Sequence, residues 1–146
     1  MIWTVDDMAE LGTRHSTLEA QGELAPLLET LVDDPFYEFH PIGLCMSGGP
    51  TVKRFYTQFC EHFLPLRAGF ELIAEWVNED SVAQEYDVSL QVDGMVETHR
   101  VLGVLYREGE RLGGERVFAS ERFIRLMTGE LFDELEPLDE VQAPPV

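Results

Sequence analysis

Apolar residues recur at helical spacing in the first half of the chain. One stripe has the i, i+3, i+4, i+7 spacing of an amphipathic helix and consists of Leu24, Leu27, Leu28 and Leu31. A second stripe predicts a further helix over residues 51–63 and consists of Val52, Phe55, Tyr56, Phe59 and Phe63. Residues 36–40, between these two helices, predict a short strand. An earlier helical segment is predicted to begin after Thr4 as its N-cap and to weaken or end at Gly12.

Alternating apolar and polar residues predict long strands in the second half of the chain. The alternation is clearest in residues 81–92, and Asp93-Gly94 after it is a hairpin signal. The predicted strands cover residues 70–77, 81–92, 98–106, 115–127 and 131–135. Helices followed by such strands predict one α+β domain, in which N-terminal helices pack on an antiparallel sheet.

Length and charge fit a single domain that binds neither nucleic acid nor a membrane. The chain has 146 residues and a formal net charge of −18, whereas nucleic-acid binding requires a basic face. No apolar run approaches the roughly 18 residues of a membrane span, and the start shows no signal peptide. Cys45 and Cys60 form no CxxC pair and have no histidine at metal spacing. We therefore expect reduced thiols, no metal and a cytoplasmic location.

Three stretches of the sequence resemble the nuclear transport factor 2-like superfamily, and within it the SnoaL-like group. They are residues 17–23 followed by 31–41, the Gly48-Gly49 entry into residues 52–56, and residues 123–131. The resemblance implies a cone, in which a strongly bent sheet wraps the helix over residues 51–63 and an open end admits a small molecule. It also implies a frequent homodimer through the sheet. The chain then divides into a helical N-terminal segment (residues 1–14), a SnoaL-like domain (15–138) and a loose tail (139–146).

Charged residues on the predicted strands are the first candidates for catalysis. Glu85 and Asp87 are two residues apart and therefore face the same side of their strand. In a partly dry site two carboxylates repel and one pKa rises, which suits acid/base catalysis, whereas on an open sheet they form a solvated face. Arg125, a candidate catalytic residue, and Glu121, a candidate substrate contact, share one side of their predicted strand. They could neighbour the acid pair or form a simple ion pair.

Histidines and aromatic residues complete the candidate site. His40 ends the short strand near the expected pocket mouth, and His99 lies in the middle of a strand, whereas His15 is expected to be exposed. One register of the hairpin after Gly94 pairs Asp87 with Arg100, and the neighbouring register brings His99 near Ser89. The aromatic residues expected to contact a substrate are Tyr37, Tyr56, Phe59, Trp76 and Tyr86.

Two functions fit this pattern. The first is a cofactor-independent enzyme that moves protons on a hydrophobic cyclic or aromatic substrate, by isomerisation, cyclisation, elimination or hydration. The second is a non-catalytic ligand-binding or dimerisation domain. No GxSxG, phosphate-loop or HExxH motif is present, so no cofactor is expected. The superfamily's epoxide-hydrolase branch has an arginine where this chain has Glu85, and its steroid-isomerase branch has a helix tyrosine, for which Tyr56 is a candidate.

Overall fold

The computed structural model describes residues 2–139, which form helices and one seven-stranded sheet. The α-helices are α1 (Val5–Gln21), α2 (Leu24–Glu29), α3 (Gly49–Gln58) and α4 (Glu121–Thr128). A π-helical turn (Phe59–Phe63) and a 3-10 turn (Leu64–Leu66) continue α3, and another 3-10 turn (Gly129–Glu134) follows α4. The strands are β1 (Leu31–His40), β2 (Leu44–Ser47), β3 (Arg67–Val77), β4 (Ser81–Val92), β5 (Met95–Glu108), β6 (Arg111–Phe118) and β7 (Glu136–Pro137).

Helix α1 continues through Gly12, although the sequence predicts that the segment weakens or ends there. A capping box closes its first turn: Thr4 Oγ1 accepts from the Asp7 amide at 3.2 Å, and Asp7 Oδ2 accepts from the Thr4 amide at 2.8 Å. Gly12 serves close packing, because a Cβ at this position would lie 2.9 Å from Val82 Cγ2 on β4. The glycine therefore lets α1 lie directly against the sheet.

The sheet is mixed, and its strands have the order β3-β4-β5-β6-β1-β2-β7. Every neighbouring pair of strands is antiparallel except β1 and β6, which pair in parallel with Tyr37 opposite Glu115. This pair departs from the antiparallel sheet that the sequence predicts, because β6 lies beside a strand that is distant in sequence and that no local pattern identifies. The β4–β5 hairpin has the register that pairs Asp87 with Arg100.

The segment predicted as a strand over residues 115–127 is a strand followed by a helix. β6 ends at Phe118, and Ser120 caps α4 because its Oγ accepts a hydrogen bond from the Phe123 amide at 3.1 Å. The buried residues of α4 have helical spacing and are Phe123, Ile124, Met127 and Thr128. The strand predicted over residues 131–135 is also wrong, since most of this segment lies in the 3-10 turn Gly129–Glu134.

The curved sheet wraps α3, as the resemblance implies. Irregular pairing between β3 and β4, at Arg67–Gly69 and at Leu72–Ala74, bends these strands. The core contains four aromatic residues from α3 and the π-helical turn, namely Phe55, Tyr56, Phe59 and Phe63. Burial of each such side chain contributes about 1.5–3 kcal/mol to folding.

Three further expectations concern the C-terminal tail, the two cysteines and membrane-spanning segments. The loose tail predicted over residues 139–146 lies outside the described residues, apart from Asp139. Neither Cys45 nor Cys60 is in a disulfide. Within residues 2–139, no helix combines the length and apolar character needed to cross a membrane.

Candidate active site

A cavity of about 450 Å³ lies between α1, the π-helical turn after α3, α4 and the inner face of strands β3 to β6. Its walls are mainly apolar and include Phe59, Phe63, Val88, Leu105, Phe123 and Met127. Its polar side chains include His15 and Glu19 of α1, Arg67 and Glu75 of β3, Gln84 and Tyr86 of β4, and Glu115 of β6. A cavity of this size and composition fits a small, mainly hydrophobic organic molecule.

His15 is fully buried, and its hydrogen bonds determine which ring nitrogen carries the proton. Its Nδ1 lies 2.7 Å from Thr30 Oγ1, and the Thr30 hydroxyl donates to the Leu27 carbonyl at 2.6 Å. Because the Thr30 proton is engaged with that carbonyl, Thr30 Oγ1 accepts from His15 Nδ1–H. The neutral imidazole therefore has its lone pair on Nε2, which is the nitrogen beside Glu19, at 3.4 Å.

Two buried tyrosines, Tyr37 and Tyr56, form hydrogen bonds next to His15 and Glu19. Tyr56 donates its hydroxyl proton to Glu19 Oε2 at 3.3 Å, and the Tyr56 hydroxyl oxygen also lies 3.4 Å from His15 Nε2. The Tyr37 and Tyr56 hydroxyl oxygens are 2.7 Å apart, so the Tyr37 hydroxyl donates to Tyr56. Burial raises the pKa of both hydroxyls well above its ordinary value, which keeps them as proton donors. The chain from Tyr37 through Tyr56 orients the Glu19 carboxylate.

Glu115 brings a second carboxyl to the same cluster from β6. It lies opposite Leu105 of β5, and Gly103 makes room for it, because a Cβ at residue 103 would lie 2.6 Å from Glu115 Oε1. Within residues 2–139 the Glu115 carboxyl has no hydrogen-bond or ion-pair partner. Burial raises the pKa of this carboxyl well above its usual range, and the neighbouring Glu19 raises it further. Its protonated form is therefore favoured.

The cluster also has the spacing of a metal-binding group. One ligand atom from each of His15, Glu19 and Glu115 lies within 4.8 Å of the other two. No other such group of three or more His, Cys, Asp or Glu side chains occurs in the described part of the chain. An imidazole nitrogen with two carboxylate oxygens could hold a divalent ion. Without an ion, the protonated Glu115 carboxyl is a proton donor, and His15 Nε2 and the Glu19 carboxylate beside it are proton acceptors.

The acid pair predicted from the sequence lies on the outer face of the sheet, away from this cavity. Glu85 and Asp87 both pair with Arg100 of β5, with Arg100 Nη1 donating to Glu85 at 2.7 Å and Nη2 donating to Asp87 at 3.0 Å. The Arg100 guanidinium lowers the pKa of Asp87, which is the opposite of what a proton donor requires. The solvated-face alternative therefore describes this pair.

The other predicted catalytic residues and the predicted substrate contact Glu121 also lie outside the cavity wall. His40 stacks on Phe118 on the outer face, with ring centroids 4.9 Å apart. His99 lies on the inner face, but it packs against Phe123 and its Nε2 is 2.8 Å from Glu97 Oε1. Glu121 and Arg125 form an exposed ion pair at 3.3 Å on α4, since this segment is helical and not a strand.

The predicted aromatic substrate contacts divide into three groups. Phe59 and Tyr86 line the cavity, and Tyr37 and Tyr56 support the polar cluster through their hydroxyls. Trp76 is 56% exposed and faces outward, because the irregular pairing at Leu72–Ala74 shifts the side-chain alternation along β3.

Sequence reasoning missed His15, Glu19 and Glu115. The i, i+4 spacing of His15 and Glu19 on α1 is the signal that could have identified two of them. Glu115 has no local signal, since its place in the cluster depends on the parallel pairing of β6 with β1. The expectation that His15 is exposed is wrong, because α1 packs directly on the sheet through Gly12.

Comparison with known proteins identifies the fold. No protein-family model matches the chain, and no curated protein matches it. An NTF2-like protein from Anabaena variabilis ATCC 29413 is 20% identical, with a TM-score of 0.64 over 83% of this chain and 95% of that one. A candidate isomerase from Bacillus subtilis is 12% identical, with a TM-score of 0.65 over 82% and 91%. A candidate ketosteroid isomerase from Kribbella flavida DSM 17836 is 16% identical, with a TM-score of 0.63 over 81% and 80%.

These likenesses show that the chain has the nuclear transport factor 2-like fold, which the sequence resemblance predicts. At this level of identity they show the fold alone. Assignment to the SnoaL-like group remains a prediction.

Proposed function

We propose that the protein is a cofactor-independent enzyme that transfers protons on a hydrophobic cyclic or aromatic substrate bound in the cavity. The observation that carries this proposal is the Glu115 carboxyl, which has no partner within residues 2–139 and has an oxygen within 4.8 Å of a His15 ring nitrogen. A carboxyl with a raised pKa can act as a general acid, and an imidazole nitrogen that carries a lone pair can act as a general base. Perturbed titratable groups in a cavity of this kind are typical of catalytic sites.

The geometry supports a two-proton mechanism. Glu115 donates its proton to a substrate oxygen as a C=O bond becomes a C–OH group, while His15 Nε2 takes a proton from a neighbouring carbon. The transfers leave a Glu115 carboxylate and a His15 imidazolium, and Glu19, 3.4 Å from Nε2, stabilises the imidazolium. Return of the protons at different positions completes an isomerisation and restores both groups. The same pair serves elimination or hydration.

Two further observations support an enzyme in preference to a passive binding domain. The half-buried Glu115 carboxyl lines the cavity and has no hydrogen-bond or ion-pair partner within residues 2–139, so it is available to a bound substrate. Two of the structural neighbours are candidate isomerases, and we extend that activity to this chain only as part of this proposal.

The test is proton exchange at the carbon next to the carbonyl of a two-ring ketone, such as 2-tetralone, measured in D₂O by NMR with a chelator present throughout. We expect E115Q and H15Q each to slow enzyme-dependent exchange by about 10²–10⁴-fold. The matched controls are E85Q and H62Q, which make the same chemical changes outside the cavity. Exchange that survives in both cavity variants refutes the assignment of these residues. Binding of the ketone without exchange in the wild type supports the non-catalytic alternative.

We also propose a homodimer through the outer face of the sheet, in a cytoplasmic protein. The outer face of the sheet exposes apolar side chains, with Trp76 56% and Phe118 38% accessible. Large exposed apolar residues on one sheet face are typical of an interface. Sedimentation of the wild type and of the W76E variant tests this, and a monomeric wild type at micromolar concentration would contradict it.

A further inference from the structure

Arg67, at the start of β3, lines the cavity and has no carboxylate partner within residues 2–139. Seven of the nine arginines form an ion pair in the same part of the chain. The other exception, Arg14, is exposed on α1 and does not line the cavity. The chain has 28 acidic and only 10 basic residues, so carboxylate partners are plentiful. An unpaired guanidinium in the cavity wall is therefore available to a ligand.

Aromatic contacts hold this guanidinium in place without using its hydrogen-bond donors. The Arg67 Cζ atom lies 5.2 Å from the centroid of the Phe70 ring, and Phe70 packs on Tyr86 with ring centroids 5.2 Å apart. The Tyr86 hydroxyl has no hydrogen bond within the described residues. Burial raises the pKa of this hydroxyl and keeps it protonated, although the charge of Arg67 acts in the opposite direction. Two kinds of donor, guanidinium and phenol, thus line the same part of the cavity.

We infer that Arg67 binds the carboxylate of an organic acid whose apolar body fills the cavity, with Tyr86 as a second donor. The inference names the substrate class and rests on the proposed function in taking this cavity as the substrate site. A planar guanidinium matches a carboxylate with two parallel N–H···O bonds. The ring system would then lie against Phe59, Phe63 and Phe123.

The acidic groups of the cavity do not form an ion pair with Arg67. Gln84 Nε2 donates to Glu75 at 2.8 Å, and Tyr56 donates to Glu19 at 3.3 Å, so both carboxylates have other partners. Burial favours the neutral form of Glu115. The Glu75 and Glu19 carboxylates repel a phosphate dianion more strongly than a monoanion, so a singly charged ligand is favoured beside the one guanidinium. The ligand class is therefore a hydrophobic carboxylic acid.

The experiment compares the binding of 2-naphthoate and 2-naphthamide, which share a ring system and differ in charge, by isothermal titration calorimetry. We expect the acid to bind the wild-type protein about tenfold more tightly than the amide, as for a hydrogen bond to a charged group. R67Q should abolish this preference without changing the affinity for the amide, and R67K should keep part of it. R14Q, which removes an equal charge outside the cavity, should keep all of it. A thermal melt of each variant checks that it is folded.

Several results would overturn the inference. They are equal affinity of the wild type for acid and amide, no detectable binding of naphthoate at millimolar concentration, and equal weakening of both probes by R67Q. Tighter binding of 2-naphthyl phosphate than of 2-naphthoate would overturn the choice of a carboxylate. E115Q separates this inference from the proposed function, because it should remove proton exchange and leave the preference for the acid intact. Acid preference without exchange in the wild type would support Arg67 and refute the enzyme.

Discussion

Replacement of Glu115 by glutamine should change how the stability of the protein depends on pH. Glutamine has nearly the same shape as glutamate but carries no titratable proton. In the unfolded chain Glu115 loses its proton near the ordinary glutamate pKa of 4.5, whereas burial and Glu19 raise the pKa in the folded chain. The folded wild type therefore binds one more proton than the unfolded wild type over the pH range between these two values.

The sign and size of the effect follow from this one proton. Stability changes with pH according to the difference in bound protons, which for one proton is about 1.4 kcal/mol per pH unit. Because the folded state binds the extra proton, the contribution of Glu115 to the free energy of unfolding falls as pH rises above about 4.5. The wild type therefore loses free energy of unfolding relative to E115Q, by at most about 1.4 kcal/mol per pH unit. The loss stops at the pH at which the Glu115 carboxyl of the folded protein ionises. E115Q should therefore become progressively more stable than the wild type as the solution is made less acidic.

Urea denaturation at a series of pH values measures this difference. The matched control is E10Q, which removes the same formal charge from an exposed position of α1 that does not line the cavity. The relevant quantity is the difference in free energy of unfolding between each variant and the wild type. Curves for E115Q and the wild type that stay parallel from pH 4.5 upwards would show that Glu115 ionises normally, and the general acid of the proposed mechanism would be lost.

Three further substitutions test how the cluster is held. G103A should lower turnover by roughly tenfold to a hundredfold with little change in melting temperature, because the new Cβ displaces the end of the Glu115 side chain. T30V should destabilise the protein by about 1–3 kcal/mol and shift the pH profile of turnover, because His15 Nδ1–H loses its acceptor, whereas T30S should restore both. D87N removes an ion pair of the outer face, so chemical denaturation and the exchange assay should both give values close to the wild type.

The parts of the fold that follow from local patterns could be predicted from the sequence. The alternation over residues 81–92 coincides with β4, and the stripe over residues 51–63 is covered by α3 and the π-helical turn after it. The secondary structure of the segment after Phe118 could not be predicted from the local pattern. Helix α4 is only eight residues long, and its apolar residues satisfy a strand pattern over so short a length. The Ser120 cap decides in favour of the helix.

The site could be predicted less well than the fold, for a physical reason. A charged pair on the outer face of a strand, such as Glu85 and Asp87, can be recognised in the sequence because apolar residues alternate with the charged ones. A single half-buried carboxyl in a cavity, such as Glu115, is surrounded by residues from distant segments, so its neighbours in the sequence do not identify it. Its environment comes from Tyr37, 78 residues earlier in the chain, and from the room left by Gly103. Long-range pairing of this kind decides which face of a strand is functional.

The strand order also limits what the cavity can bind. Arg67 lies on β3 and Glu115 on β6, so three strand spacings separate their backbones, or about 14 Å along the sheet. Both side chains line the same cavity, and Tyr86 on β4 lies between their strands. A carboxylate bound to Arg67 is therefore held towards the β3 side of the cavity, whereas the proton donor projects from β6. A substrate that reaches both groups must have an apolar body between its acid group and its reactive carbon, which favours ring systems over short-chain acids.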